Sequence, residues 1–193
     1  IDRTTGTART KRAAIVGQWP DFQVARQRGK AIKDHVVANL GHYLAEFERN
    51  AIASGAHVHY ASTADEAADL VVRLCKEAGA RSVTRSKSML GEEIGLPHAL
   101  AEAGIERVET DLAEHIVQLA GERPSHIIWP ALHKTREQIS ELFKAAHDDP
   151  HGEETPEAMA ASARRFLRVK FLEADIGISG ANFLVADSGS VCT

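Results

Sequence analysis

Aromatic residues make up only 5% of the 193 residues, and cysteine occurs twice, as Cys75 and Cys192. The scarcity of aromatics argues against a surface built for stacking nucleic-acid bases. Two cysteines cannot supply a disulfide framework or a cysteine-rich metal site. A large positive charge is absent too: the formal net charge is -4 and the isoelectric point is near 6.2, so general nucleic-acid binding is not expected. No apolar run approaches membrane-spanning length, and the opening residues do not read as a signal peptide. Together these absences fit a reducing, cytoplasmic setting. Cys75, inside an amphipathic pattern, is expected as a buried apolar residue.

What is present is ordinary globular material, with 44% apolar and 26% charged residues in a length suited to one domain with an appendage. Residues 1–19 are polar and show no period, which reads as an arm. A helical pattern follows from Asp21 to about Ala53, with Ile32, Val36, Leu40, Leu44 and Phe47 at helical spacing, as one helix or two joined. Residues 1–53 are therefore taken as an N-terminal helical extension, and residues 54–193 as an α/β domain.

The second part alternates. "AHVHYA" (Ala56–Ala61) reads as a strand. Thr63 with Glu66 caps a helix whose expected core face is Ala67, Leu70, Val71, Leu74 and Ala78. "ARSVTR" is a second strand, and the helical stretch Met89–Ala103 is broken at Gly95–Pro97. "IERVET" is a third strand, followed by a helix capped by Asp111. "HIIWPA" is a fourth strand, followed by a helix capped by Thr135 with Gln138. Thr155 and Pro156 start the last helix, and "IGISGANFLVADSGSVCT" reads as a hairpin or two short strands added to the sheet. Short connections between alternating strands and helices call for a Rossmann-like parallel sheet with helices on both faces, a three-layer α/β architecture.

In such a sheet, ligands sit outside the carboxyl ends of the strands. Three loops project there. The first carries Ser86, Lys87 and Ser88, with Glu92 and Glu93 one turn later. A lysine and two hydroxyls beside backbone N–H groups suit a carboxylate or phosphate, and a glutamate there can orient Lys87 or act as a base. The second loop brings Glu109 and Asp111. The third brings His133, Lys134 and Thr135, with His133 as a general acid or base. Plainer readings stand beside these: Ser88, Asp111 and Thr135 as helix caps, and His133 as a backbone hydrogen-bonding group at a strand end. His57 and His59 share a strand face without a third metal ligand, so no metal site is expected, and His147 and His151 are expected in solvent. "GISGANF", with Asn182, is a tight turn that lets backbone approach a ligand or the sheet, and Asp187 lies in the turn "VADSG".

"TRSKSMLGEEIGL", "GIERVETDLAEHIVQLAGERPSHIIWPALHKTREQISELF" and "RRFLRVKFLEADIGISGANFLVADSGS" resemble the LUD domain of lactate-utilisation protein B, the family of iron–sulfur subunits of bacterial L-lactate oxidation complexes. The resemblance runs from about Trp19 to Thr193. It implies a fold similar to the phosphosugar-isomerase and CoA-transferase group. It also implies two partner subunits, oxidation of L-lactate to pyruvate, and two 4Fe-4S clusters in a ferredoxin-like region. No ferredoxin cysteine run occurs in this sequence, so no cofactor is expected in it. The chain, opening on Ile1 and stopping inside the expected hairpin, reads as a fragment. Asp187 stands where the family more often has Glu. A glutamate in a loosely similar turn is the nucleophile of related CoA transferases, and that chemistry is not carried over to an aspartate.

Three readings follow. In the first, the crevice binds a small carboxylate or other anionic ligand, electrons pass to clusters outside this sequence, and the isolated chain is inactive. In the second, the domain is an isomerase or transferase for a phosphorylated or CoA-linked substrate. In the third, it is a docking module without chemistry, which an exposed apolar stripe on the 21–53 helix would favour.

Overall fold

A computed structural model describes residues 2–126, 129–147 and 155–193, with side chains from residue 6 onward. The chain divides into two compact units. One comprises Ile1–Val58 with Phe183–Cys192; the other comprises His59–Asn182 with Thr193.

The second unit carries the parallel sheet. Its strands β1 (Ser82–Arg85), β2 (Glu106–Glu109) and β3 (Ile176–Ile178) lie in the order β2-β1-β3, all parallel. Helices surround the sheet, which is the expected α/β class. Helix α4 (Ala64–Glu77) begins where the Thr63 hydroxyl accepts from Glu66 N–H, while the Glu66 carboxylate reaches back to Ser62 N–H at 2.7 Å. Gly79 (φ 68°) ends it, a left-handed position that suits glycine. The buried face of α4 is turned by one residue from the one expected. Ala68 and Cys75 are buried, while Leu74 is exposed. Cys75 packs with Val83 of β1, with Leu96 and Leu100 of α6 (Leu96–Glu102) and with Ile105.

The short helix α5 (Met89–Glu93) precedes α6, the break falling at Gly95 (φ 67°) as expected. Helix α7 (Leu112–Leu119) follows β2, then α8 (Arg136–Ala146) and α9 (Pro156–Glu173). Ile116, Phe143, Met159 and Ala163 of these three helices form a second apolar cluster. Thr135 and Gln138 form the full reciprocal capping box on α8, and Thr155 caps α9. At the other end of the sheet, the Asp175 carboxylate accepts from Arg81 N–H, Ser82 N–H and the Ser82 hydroxyl, tying the start of β3 to β1. The backbone donor at Arg81, then that at Ser82, holds its pKa below the ordinary value.

The first unit is helical with a hairpin. Residues expected as an irregular arm form α1 (Asp2–Gly17). The long helical pattern is two helices, α2 (Phe22–Ala38) and α3 (Leu40–Ala53), which meet at Asn39. Of the expected core positions there, Phe47 is buried, whereas Ile32 and Leu40 are exposed. The hairpin β4 (Phe183–Val185) and β5 (Ser190–Cys192) is an antiparallel pair of its own, not an addition to the parallel sheet. Only Ile176–Ile178 of the final stretch joins that sheet.

Two further expectations are corrected. Ala56–Ala61 is not a strand: it carries no ladder and its residues are mostly exposed, His57 and His59 among them. Among the described residues no strand pairs with it. The fourth strand, "HIIWPA", includes residues 127 and 128 and so lies partly outside the described residues; Trp129–Ala131 form no strand.

Candidate functional site

Strand alternation puts Val83 and Arg85 on one face of β1, and Arg107 and Glu109 on one face of β2. The register places Arg85 directly opposite Glu109. Both side chains are almost wholly buried, at 1% and 2% exposure. Arg85 Nε donates to Glu109 Oε1 at 2.9 Å and to Oε2 at 3.2 Å, and Nη2 lies 2.7 Å from Oε1. Arg85 Nη2 also donates to Glu92 of α5, and Arg107 Nη1 donates to Glu109. Burial opposes the Arg85 charge, but the Glu109 and then the Glu92 contacts outweigh it and raise its pKa. Gln118 of α7 braces the same strand, accepting from Glu109 N–H and donating to Arg107 C=O.

This network lines a cavity of about 570 Å³. Arginines 85, 107 and 123 and glutamates 92, 109, 114 and 122 line it. Glu114 sits in the first turn of α7, 4% exposed, with Oε2 buried and without a hydrogen-bond partner. Burial, and next the neighbouring Glu109 charge, raise its pKa to about 7. Arg85 Nη1 is buried without a partner as well. It lies against Gly91, where a Cβ would approach it to 2.6 Å. Only glycine leaves room for the guanidinium at that position.

The residues expected from sequence are distributed around this cavity in distinct ways. Glu92 lines it, but pairs with Arg85 rather than Lys87. Glu93 is exposed. Lys87 Nζ lies 4.0 Å from Glu114 Oε1. The Ser86 hydroxyl donates to that of Ser179 at 2.8 Å. Ser88 is the cap of α5, accepting from Gly91 N–H. Asp111 caps α7, accepting from Ala113 and Glu114 N–H. Gly180 of the "GISGANF" turn approaches Ser88 so closely that a Cβ would lie 2.7 Å from its hydroxyl oxygen. The backbone approach expected there is made to this loop. Asn182 is exposed at the end of that turn, and Asp187 is exposed in the hairpin turn of the other unit.

The third loop reaches the cavity through Glu122. His133 Nε2 is 2.6 Å from Glu122 Oε2, His133 Nδ1 is 2.8 Å from the Ser125 hydroxyl, and Lys134 donates to Glu122 Oε1. Lys134, then His133, holds the Glu122 pKa below the ordinary value. Thr135 serves as the α8 cap.

Arg85, Arg107, Arg123, Glu114 and Glu122 are the charged site residues that sequence reasoning passed over. Arg85 ends the strand "ARSVTR", but its partner lies 24 residues away and only the strand register joins them.

A separate cluster surrounds His115, 1% exposed on α7. Its Nε2 lies 3.0 Å from His147 Nε2, and His147 Nδ1 lies 3.0 Å from the Ser162 hydroxyl. His147 stacks on Phe143 and Phe166 and is half-buried, contrary to the solvated position expected for it. Its ring completes the packing between α8 and α9. His151 lies outside the described residues.

Residues 44–193 match the family model of the LUD domain. The chain is 42% identical over 189 residues, 97% of its length, to the "uncharacterized electron transport protein YkgF" of Escherichia coli. It is also 42% identical over 191 residues, 96% of its length, to proteins named "lactate utilization protein B" in Bacillus thuringiensis and Bacillus cereus. The chain spans 38% of the length of each of these relatives. No solved structure matches it.

Proposed function

Since this chain belongs to the LUD domain family, we propose that it is the carboxylate-binding part of a subunit that takes part in oxidising L-lactate to pyruvate. The observation that carries this reading is the 42% identity to lactate utilization protein B across 96% of the chain. The cavity adds chemistry to it. Arginines 85, 107 and 123 face a space large enough for a small organic acid, and guanidinium groups bind carboxylates in a defined geometry.

The residues of this chain do not fit an iron–sulfur cluster. A 4Fe-4S cluster takes four cysteine thiolates, and the sequence has two cysteines, one buried in the apolar core. Among the described residues, no group of three or more His, Cys, Asp or Glu side chains is arranged to hold a metal ion. Clusters, and the electrons they would carry, belong in this proposal to other sequence. The described residues supply binding and charge, and two partner subunits complete the reaction.

The test uses the full-length gene product, purified without air. Iron and acid-labile sulfide in cluster amounts, with L-lactate raising the melting temperature and Arg107→Ala removing that rise, is the expected result. A full-length protein without iron and indifferent to L-lactate overturns the proposal.

One observation favours a second role, for the extension. Helix α2 has no buried residue, and Val24, Ile32 and Val37 are 66%, 57% and 71% exposed. We assign this apolar surface to contact with a partner subunit. Deleting residues 1–38 should then abolish association with the partners while L-lactate binding persists; association that survives the deletion rules this role out.

A further inference from the structure

We propose that the cavity takes up its anionic ligand together with one proton, held on the Glu114 carboxyl, which hydrogen-bonds the ligand. The proposal rests on the reading that the cavity binds a small carboxylate, and adds to it the group that makes binding depend on pH.

The geometry comes first. Glu114 is 96% buried by its side chain, yet lies in the cavity wall. Its Oε2 has no partner, and a buried oxygen without a hydrogen bond costs free energy until something supplies one. Among the described residues no neighbouring protein donor reaches it, although Arg85 Nη1, against Gly91, is itself buried without a partner. Arg85 donates to Glu109 and Glu92, and Arg107 donates to Glu109. Lys87 Nζ, at 4.0 Å from Oε1, is beyond hydrogen-bond range of Glu114.

Charge then decides which form accepts an anion. Three arginines and four glutamates line the cavity. With Glu114 ionised, carboxylates outnumber guanidinium groups, and a buried carboxylate beside a carboxylate ligand repels it. With Glu114 protonated, the three arginines and the nearby Lys87 face three carboxylates, and the Glu122 charge is met in addition by Lys134. The neutral acid also turns from acceptor into donor, which a carboxylate ligand can accept. The raised pKa of about 7 agrees with this form being accessible near neutrality.

The charged neighbours of Glu114 are Glu109 on β2, Arg85 on β1, Lys87 in the following loop and Asp111 at its own helix cap. The other charged or titratable lining residues are Glu92, His98, Arg107, Glu122 and Arg123. Of these, His98 is the histidine of the lining, so it takes its own control.

The experiment is calorimetric titration of the full-length protein with L-lactate, between pH 6 and 9, in two buffers of different ionisation enthalpy. L-Lactate itself stays ionised throughout this window. Uptake approaching one proton per L-lactate at pH 8 is expected. The Kd should rise about tenfold per pH unit above 7, since one proton is linked to binding. Glu114→Gln, a permanent donor of nearly the same shape, should bind with a Kd flat in pH, while His98→Gln keeps the slope. Binding without proton uptake overturns this inference and leaves the carboxylate site standing. A Glu114→Gln slope equal to that of the unaltered protein also overturns it. Failure of L-lactate to bind at any pH overturns both. If Glu114→Gln does not fold, the proton count of the unaltered protein decides alone.

Discussion

Arg85 and Glu109 hold the same register position on adjacent parallel strands and close a buried ion pair at 2.7–3.2 Å. Removing either partner leaves the other almost wholly buried with part of its pairing gone, since Glu109 then keeps only Arg107 and Arg85 only Glu92. Arg85→Ala should therefore cost about 3–5 kcal/mol of unfolding free energy. Replacing both residues with apolar side chains of similar volume, as Arg85→Met with Glu109→Leu, should recover much of that loss. Urea denaturation of the two single variants and the double variant measures both statements.

Gly91 is coupled to the same pair. A methyl group there would meet Arg85 Nη1 at 2.6 Å. The guanidinium is pinned by Glu109 and Glu92, so it cannot swing aside without breaking those contacts. Gly91→Ala should destabilise by about 1–3 kcal/mol, the usual cost of overpacking. In the Arg85→Met, Glu109→Leu background the cost should shrink. A double-mutant cycle reads the difference, and additive effects would refute the coupling.

His115 gives the fold an acid limit. Burial, and then His147, lower its pKa to about 4 from an ordinary 6.5. The native state keeps the ring neutral, while the unfolded chain binds a proton more readily. Its contribution is thus fully present above pH 6.5 and is lost as pH falls from 6.5 toward 4. The loss should be on the order of 2 kcal/mol by pH 4.5. His115→Phe, set among Phe143 and Phe166, should flatten the melting temperature across that window. An unchanged acid slope in the variant would place the sensitivity elsewhere.

Gly189 closes the hairpin turn at φ 68°, with its Cα over the backbone of α3. A Cβ there would lie 2.3 Å from Ala51 N, and backbone cannot give way as a side-chain tip can. Gly189→Ala should cost about 1–3 kcal/mol in backbone strain before any clash is counted. Hydrogen exchange at β4 and β5 should rise most, and Asn50 should lose its 2.8 Å bond to the Ala186 carbonyl. Protection that stays intact would mean the turn tolerates a side chain.

Local chemistry made much of the fold legible. Thr63, Asp111, Thr135 and Thr155 announced four helix starts, because a cap is a contact across two or three residues. Val83 and Val108 marked strands by their β preference. The pattern failed where burial does not follow from sequence period. Helix α1 has no apolar stripe to recognise, and the β-forming "AHVHYA" pairs with no strand among the described residues. The site was legible only in outline. Its edge of the sheet and Glu92 could be read. The Arg85–Glu109 contact depends on register, and Glu114 was hidden by its position next to a helix cap.

The hairpin has one more consequence, in the order of events during synthesis. The unit from His59 to Asn182 is continuous in sequence and holds all three parallel strands. The other unit needs residues 1–58 and 183–192 together, joined by a bond spanning 136 positions. While the ribosome is still making the intervening chain, α3 exists without its hairpin. Helix α3 is therefore completed only after the whole unit between it and its hairpin has been made. Brief contact with a chaperone would matter most for it.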